Sequence, residues 1–359
     1  MTNLSDLPLR DSLKGRQPYG APQLHVAVAL NVNENTHAIP AEVKADIVAR
    51  ISNAVEQINR YPDREFMALR SKLANYLGAG LSPEQIWAAN GSNEVIQQIF
   101  QAFGGPGRKA MGFEPTYSMY SIIAQGTDTE YARAGRLDRY ELTAEFASAQ
   151  VKLHKPNIVL LCSPNNPTGT PLSLDVIEAV YAATDGIVVV DEAYAEFSAD
   201  GAKSAISLLP GRPRLLVSRT MSKAFAFAGA RVGYLAADAA VIDALRLVRL
   251  PYHLSAFTQA AAEAALDHAT VMLAAVDEIR QQRDRLVTEL ESMGLDPFRS
   301  DANFVLFGGL EDPAEVWQKL LDRGVLVRNV GIDGTLRVTA GTTSETSAFL
   351  DALREVIHN

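Results

Sequence analysis

Between residues 86 and 240 short β-rich runs alternate with helical ones, and that alternation leaves few folds open. Three of the runs are almost wholly apolar: Ile158-Val159-Leu160-Leu161-Cys162, Ile187-Val188-Val189-Val190 and Leu215-Leu216-Val217. Strands of this kind suit a mostly parallel sheet with helices covering its faces. Each run also delivers polar residues as it ends. The first leads into Ser163-Pro164-Asn165-Asn166-Pro167-Thr168-Gly169, the second into Asp191-Glu192-Ala193-Tyr194, and the third into Ser218-Arg219-Thr220-Met221-Ser222-Lys223. In open α/β sheets ligands bind beyond the carboxyl ends of the strands, so the three loops are expected to converge on one crevice.

The rest of the chain frames that unit. Residues 1–30, with Pro8, Gly15, Pro18, Gly20 and Pro22, read as an extended arm that packs onto another part of the protein. Val43, Ile47, Val48, Ile51, Val55 and Ile58 recur at helical spacing, as do Phe66, Leu69, Leu73 and Leu77 before a stop at Gly78. The segment Asn59-Arg60-Tyr61-Pro62-Asp63 between them is expected to be a loop. After 255 come a long helical stretch (257–293), a strand at 303–307, a helix around Trp317, strands at 325–328 and 336–339, and a final helix. The predicted division is an arm over 1–30 packing with the smaller domain, a large domain over 31–255, and a smaller α/β domain over 256–359.

A chain of 359 residues with 47% apolar and 21% charged residues can bury the two cores this division requires. Its net charge of -9 argues against a nucleic-acid-binding surface, which needs clustered Lys and Arg. The opening residues carry no basic stretch leading into an apolar segment, and no run approaches 18 apolar residues, so a cytoplasmic protein without a membrane span is expected. Cys162 is the single cysteine and sits in an apolar run, which reads as core; the six histidines are scattered, and no metal site is expected.

The expected crevice holds a carboxylate, hydroxyls, a lysine, and Arg231 eight residues beyond that lysine. Lys223, Ser222 and Arg231 suit a phosphate, while Asp191 suits a protonated ring nitrogen of the kind pyridoxal cofactors present. No P-loop pattern occurs, and Gly104-Gly105-Pro106-Gly107-Arg108 reads as a turn. Asn90-Gly91-Ser92-Asn93 precedes a helical pattern, so it is either a second anion cradle at a helix start or a plain N-cap.

These motifs together resemble the fold-type-I pyridoxal-phosphate aminotransferases, and within them the histidinol-phosphate aminotransferase branch. The resemblance runs over nearly the whole chain. It rests on Asn31-Val32-Asn33-Glu34-Asn35, Asn59-Arg60-Tyr61-Pro62-Asp63, Ser163 to Gly169, Asp191-Glu192-Ala193-Tyr194, and Ser222-Lys223 followed by Arg231. It implies a large domain with a mostly parallel seven-stranded sheet between helices, a smaller α/β domain, and a homodimer with sites at the interface.

It also implies roles. Lys223 carries the cofactor and moves the proton; Asp191 keeps the pyridine nitrogen protonated; Asn166 and Tyr194 bond the phenolic oxygen; Tyr117 stacks on the ring. Ser92, Asn93, Thr220, Ser222 and Arg231 hold the phosphate, with Tyr61 arriving from the neighbouring subunit. Arg337, with Arg328 beside it, grips the far anionic group of the substrate. Tyr19, Asn93 and Tyr252 of the segment Arg249-Leu250-Pro251-Tyr252-His253-Leu254-Ser255 are expected at the imidazole end. Thr36 stands where related sequences often have proline, which leaves the local loop shape open.

The activity implied is amino transfer between histidinol phosphate and 2-oxoglutarate. An aromatic amino-acid aminotransferase would share every cofactor residue, and a decarboxylase or lyase would reuse the same fold. A cofactor-sensing transcription regulator is disfavoured, because no room remains ahead of the large domain for a helix-turn-helix module.

Overall fold

The computed structural model describes residues 3–357. In chain order its first elements are β1 (Val28–Ala29), α1 (Ala41–Val55), α2 (Met67–Leu77), β2 (Ile86–Ala89) and α3 (Ser92–Phe103). There follow β3 (Lys109–Phe113), α4 (Met119–Gly126), β4 (Glu130–Ala134), α5 (Ala144–His154), β5 (Ile158–Cys162) and α6 (Leu174–Ala182). Next come β6 (Ile187–Asp191), β7 (Leu215–Thr220), β8 (Gly233–Ala236) and α7 (Ala239–Val248). The last part holds α8 (Ala256–Asp267), α9 (Ala269–Met272), α10 (Val276–Ser292), β9 (Asp296–Pro297), β10 (Phe304–Gly308), α11 (Pro313–Asp322), β11 (Val325–Leu326), β12 (Leu336–Thr339) and α12 (Thr343–Ile357).

Seven strands form one sheet in the order β2-β8-β7-β6-β5-β3-β4. The steps from β4 through β3, β5 and β6 to β7 are parallel, and β8 alone runs against its neighbours on both sides. Burial explains the apolar runs. Val188, Val189, Val190, Leu215 and Leu216 are wholly buried, because helices cover both faces of the sheet and leave no solvated side to alternate toward. Each such side chain contributes on the order of 1.5–3 kcal/mol through removal from water.

A second, smaller core gathers Val276, Ile279, Leu286, Phe304, Phe307, Leu336, Val338, Phe349 and Leu353 around the antiparallel order β12-β10-β9. The arm joins it through β1, which pairs parallel with β11 (Val28 opposite Val325), and through Leu30. Farther out, Ser12 bonds Asp128 at 2.9 Å and Arg10 bonds Gly126 O at 3.0 Å, so the arm also touches the end of α4 on the larger core.

The helical stretch expected over 257–293 is three helices. Backbone dihedrals leave the α region at His268 (φ -108°, ψ 26°), where the ring nitrogen lies 3.2 Å from Asp46 of α1. Ala262, Ala265, Leu266 and Met272 pack into the larger core and Val276 into the smaller, so the changeover of cores falls near 273, beyond the boundary at 255 expected from sequence. Among the described residues, no helix is long and apolar enough to cross a membrane.

Candidate active site

A cavity of about 500 Å³ opens beyond the ends of β5, β6 and β7. At one end of it Ser92 and Asn93 begin the twelve-residue α3 and line the cavity, at the turn of a helix whose first amide groups have no intrahelical acceptor. Gly91 has φ +90°, and a Cβ there would overlap the Arg231 guanidinium. Glycine is therefore required for Arg231 to reach this helix start. Thr220 and Ser222 complete the rim; Ser222 N–H donates to Thr220 Oγ1 at 3.1 Å, which folds the loop after β7 back on itself. Arg231 lies 3.5 Å from Ser222 Oγ and donates to Ala228 O at 3.2 Å.

Lys223 Nζ donates to Val32 O at 3.0 Å. Burial, with Arg337 and then Arg231 as neighbouring positive charges, brings its pKa down to about 8, although Glu34 acts in the opposite sense. Asp191 is 2% exposed and accepts from Ser218 Oγ (3.0 Å) and Tyr120 Oη (2.7 Å). Its pKa is raised by burial, against the opposing effect of those two donors. Tyr194 Oη accepts from Asn33 Nδ2 (3.0 Å) and Asn166 Nδ2 (3.3 Å), and burial raises its pKa as well. Tyr117 donates to Asn93 Oδ1 at 3.1 Å and lines the cavity. Behind the site Arg219 pairs with Glu192 at 2.8 Å and Glu196 at 3.4 Å, tying the ends of β6 and β7 together.

At the opposite end stands Arg337, 7% exposed, donating to Asn166 Oδ1 at 2.5 Å and Asn31 O at 2.9 Å while its Nε has no partner. Burial, with Arg328 beside it, lowers its pKa to about 10. The two arginines are brought together by a backbone bridge between the strand segments that carry them. Arg328 and Tyr19 of the arm line the same end.

Thus the structure gathers Tyr19, Ser92, Asn93, Tyr117, Asn166, Asp191, Tyr194, Thr220, Ser222, Lys223, Arg231, Arg328 and Arg337 around one cavity. Tyr61 and Tyr252 are elsewhere. Their rings stack on each other (centroids 4.4 Å apart, 14° between planes) outside the cavity of their own chain, with Tyr61 78% exposed. The Tyr252 backbone turns at φ 59° and sends the ring to Tyr61, so within its own chain Tyr252 does not join the residues around the cavity. His253 next to it is packing, stacked on Trp87 and 2.9 Å from Ala88 O.

Sequence reasoning missed several residues. Asn31 and Asn33 line the cavity from the end of the arm, Thr116 from the loop before α4, and Cys162, read as core, borders it too. Tyr120 and Ser218 reach Asp191 from behind. The only sequence signal for them was the asparagine spacing after residue 30; a tyrosine three residues past another carries none.

The charges decide what this cavity can hold. Lys223, Arg231, Arg328 and Arg337 face it, none forms an ion pair among the described residues, and the one carboxylate at its floor, Asp191, has no cation. A phosphate at the Arg231 end, a cationic ring nitrogen at Asp191 and a carbonyl carbon before Lys223 would satisfy these groups, and pyridoxal phosphate carries all three. The residues fit that cofactor.

Fold and site together define an aminotransferase. Residues 26–353 match the family described as aminotransferase class I and II, and the chain belongs to it. The chain is 64% identical to the histidinol-phosphate aminotransferase of Paenarthrobacter aurescens over 99% of this chain and 97% of that one. It is 56% identical to the histidinol-phosphate aminotransferase of Thermobifida fusca, over 98% and 96%. Among solved structures, the histidinol-phosphate aminotransferase of Sinorhizobium meliloti in complex with pyridoxal-5'-phosphate superimposes with a TM-score of 0.84 at 25% identity, over 93% of this chain and 91% of that one.

Proposed function

We propose that the protein is a pyridoxal-phosphate-dependent histidinol-phosphate aminotransferase, moving an amino group between L-histidinol phosphate and 2-oxoglutarate to give imidazole-acetol phosphate and L-glutamate in histidine biosynthesis. The observation that carries this reading is the second anion site. Arg337 and Arg328 stand opposite the Arg231 end with no acidic partner among the described residues, so a site that already accommodates a cofactor phosphate keeps a buried guanidinium for another anion. Histidinol phosphate has no α-carboxylate and offers its phosphate there; 2-oxoglutarate and glutamate offer their distal carboxylate. The names of the relatives agree with this assignment.

When bound, pyridoxal phosphate supplies the electron sink and the amino carrier. Lys223 releases and takes up the proton at the substrate carbon; with its pKa lowered to about 8, roughly a tenth of the amine is free base at neutral pH, far more than an ordinary lysine would offer. Asp191 stabilises positive charge at the ring nitrogen, while Asn166 and Tyr194 present hydrogen-bonding groups to the phenolic oxygen. Tyr117 covers the ring face. Ser92, Asn93, Thr220, Ser222 and Arg231 anchor the phosphate, and Tyr19 with Asn93 closes on the imidazole side.

The same reading makes the enzyme a cytoplasmic homodimer. Val48, Val55, Ile58, Tyr61, Leu247, Leu250 and Tyr252 are exposed on or next to α1 and α7, a distribution that suits burial against a second copy. In that arrangement the Tyr61–Tyr252 stack is offered to the partner's cavity.

Amino transfer to 2-oxoglutarate, measured in parallel from histidinol phosphate, phenylalanine and histidine, tests the assignment. Histidinol phosphate should lead in kcat/KM. A lead for phenylalanine would replace the reading with an aromatic aminotransferase, and stoichiometric release of CO₂ or ammonia would replace it with a decarboxylase or lyase.

A further inference from the structure

The strand register sets Cys162 at the end of β5, Asp191 at the end of β6 and Ser218 of β7 side by side. Asp191 is buried among them without a cation, and its two oxygens are served separately: Ser218 Oγ donates to Oδ1 at 3.0 Å and Tyr120 Oη to Oδ2 at 2.7 Å. The third neighbour does not compete, because the Cys162 thiol, raised to about 12 by burial, stays neutral and turns to Pro164 O at 3.4 Å. Tyr120 is wholly buried on α4 and lies behind the cavity wall rather than on it. Its hydroxyl is held protonated by the same burial, so it faces Asp191 only as a donor.

We propose that Tyr120 is a positioning residue which, by donating to Oδ2 of Asp191, holds the carboxylate in the charge state and orientation that keep the proton on the cofactor's ring nitrogen. The proposal rests on the reading that Asp191 faces that nitrogen. The physical reason is the sharing of one proton between two bases. In an N–H···O contact the proton stays with nitrogen when the oxygen is the weaker base, and each hydrogen bond donated to a carboxylate weakens its basicity. Burial acts the other way and makes Asp191 a stronger base, so the donors behind it decide the outcome. Two donors on different oxygens also prevent the carboxylate from rotating. Packing alone would not need the hydroxyl: Tyr120 meets Tyr117 edge-on at 5.5 Å through its ring, a contact phenylalanine would keep.

The test uses holoenzyme loaded with pyridoxal phosphate labelled with nitrogen-15 in the ring, read by the chemical shift of that nitrogen. The parent should show a protonated nitrogen and Asp191→Asn an unprotonated one. Tyr120→Phe should lie between them and lower kcat by roughly ten- to a hundredfold with little change in KM, the effect of losing one hydrogen bond to a charged group. Ser218→Ala removes the parallel donor and must move the shift in the same direction. A parent-like shift in either folded variant overturns the proposal. An unprotonated nitrogen in the parent itself would instead overturn the pairing of Asp191 with the ring, a result distinct from the failure of Tyr120.

Discussion

Lys223 is a stability liability in the cofactor-free protein, and the size of the liability follows from its surroundings. Its amine has one hydrogen-bond acceptor, Val32 O, and two arginines nearby, and its pKa falls from 10.5 to about 8. The difference corresponds to about 3 kcal/mol at about 1.36 kcal/mol per unit, an upper value because water reaches the side chain through the cavity. The folded value lies below the unfolded one, so between pH 8 and 10.5 the unfolded chain holds a proton that the folded chain has released. Stability contributed by this group therefore rises with pH across that window, and below it the full penalty applies. Lys223→Met removes the charge at similar length. In urea unfolding of the two cofactor-free proteins at one protein concentration, the variant should be more stable by about 3 kcal/mol at pH 7, about 2 at pH 9 and under about 1 at pH 10, apart from a constant offset from the added apolar contact. Other titrating groups cancel in the difference. A gap that does not shrink with pH would show that the amine is not desolvated in the folded protein, and the argument for a base poised near neutrality would go with it.

Two further outcomes follow from the geometry. Arg337→Ala should weaken both half-reactions by roughly 30- to several-thousand-fold in kcat/KM, since one partner of a desolvated charge pair is removed, while the absorbance of bound cofactor stays near that of the parent; unchanged kinetics with either substrate would remove Arg337 from anion recognition. Mixing Tyr61→Phe chains with Lys223→Ala chains should restore part of the activity, because a shared-site dimer leaves one of its two sites without a lesion; confirmed hybrids with no recovery would mean that Tyr61 serves its own chain or none.

Much of the site was readable because it is contiguous in sequence. A parallel strand and the loop at its carboxyl end are consecutive residues, and the strand announces itself as an apolar run; Asn166, Asp191, Tyr194, Thr220, Ser222 and Lys223 all follow such runs directly. Asn90 to Asn93 left two readings open, a cap or an anion cradle. They merge in the folded chain, where Gly91 both starts α3 and makes way for Arg231, a residue 140 positions away.

By itself the sequence determined the sheet, the order of its motifs and the cofactor class, since hydrophobic periodicity and strand-end chemistry are local properties. Only the tertiary structure decided what meets what. Arg337 faces Asn166 because β12 packs its strand across the cavity from the smaller core, and Asn33 reaches Tyr194 because the arm is pinned by β1 beside β11. Tyr120 meets Asp191 because α4 carries its hydroxyl to the end of β6, and Tyr252 lies against Tyr61 because a left-handed turn aims it there. Each of these depends on packing between segments far apart in the chain, where the energy comes from the fit of whole surfaces and no short stretch of residues records the partner.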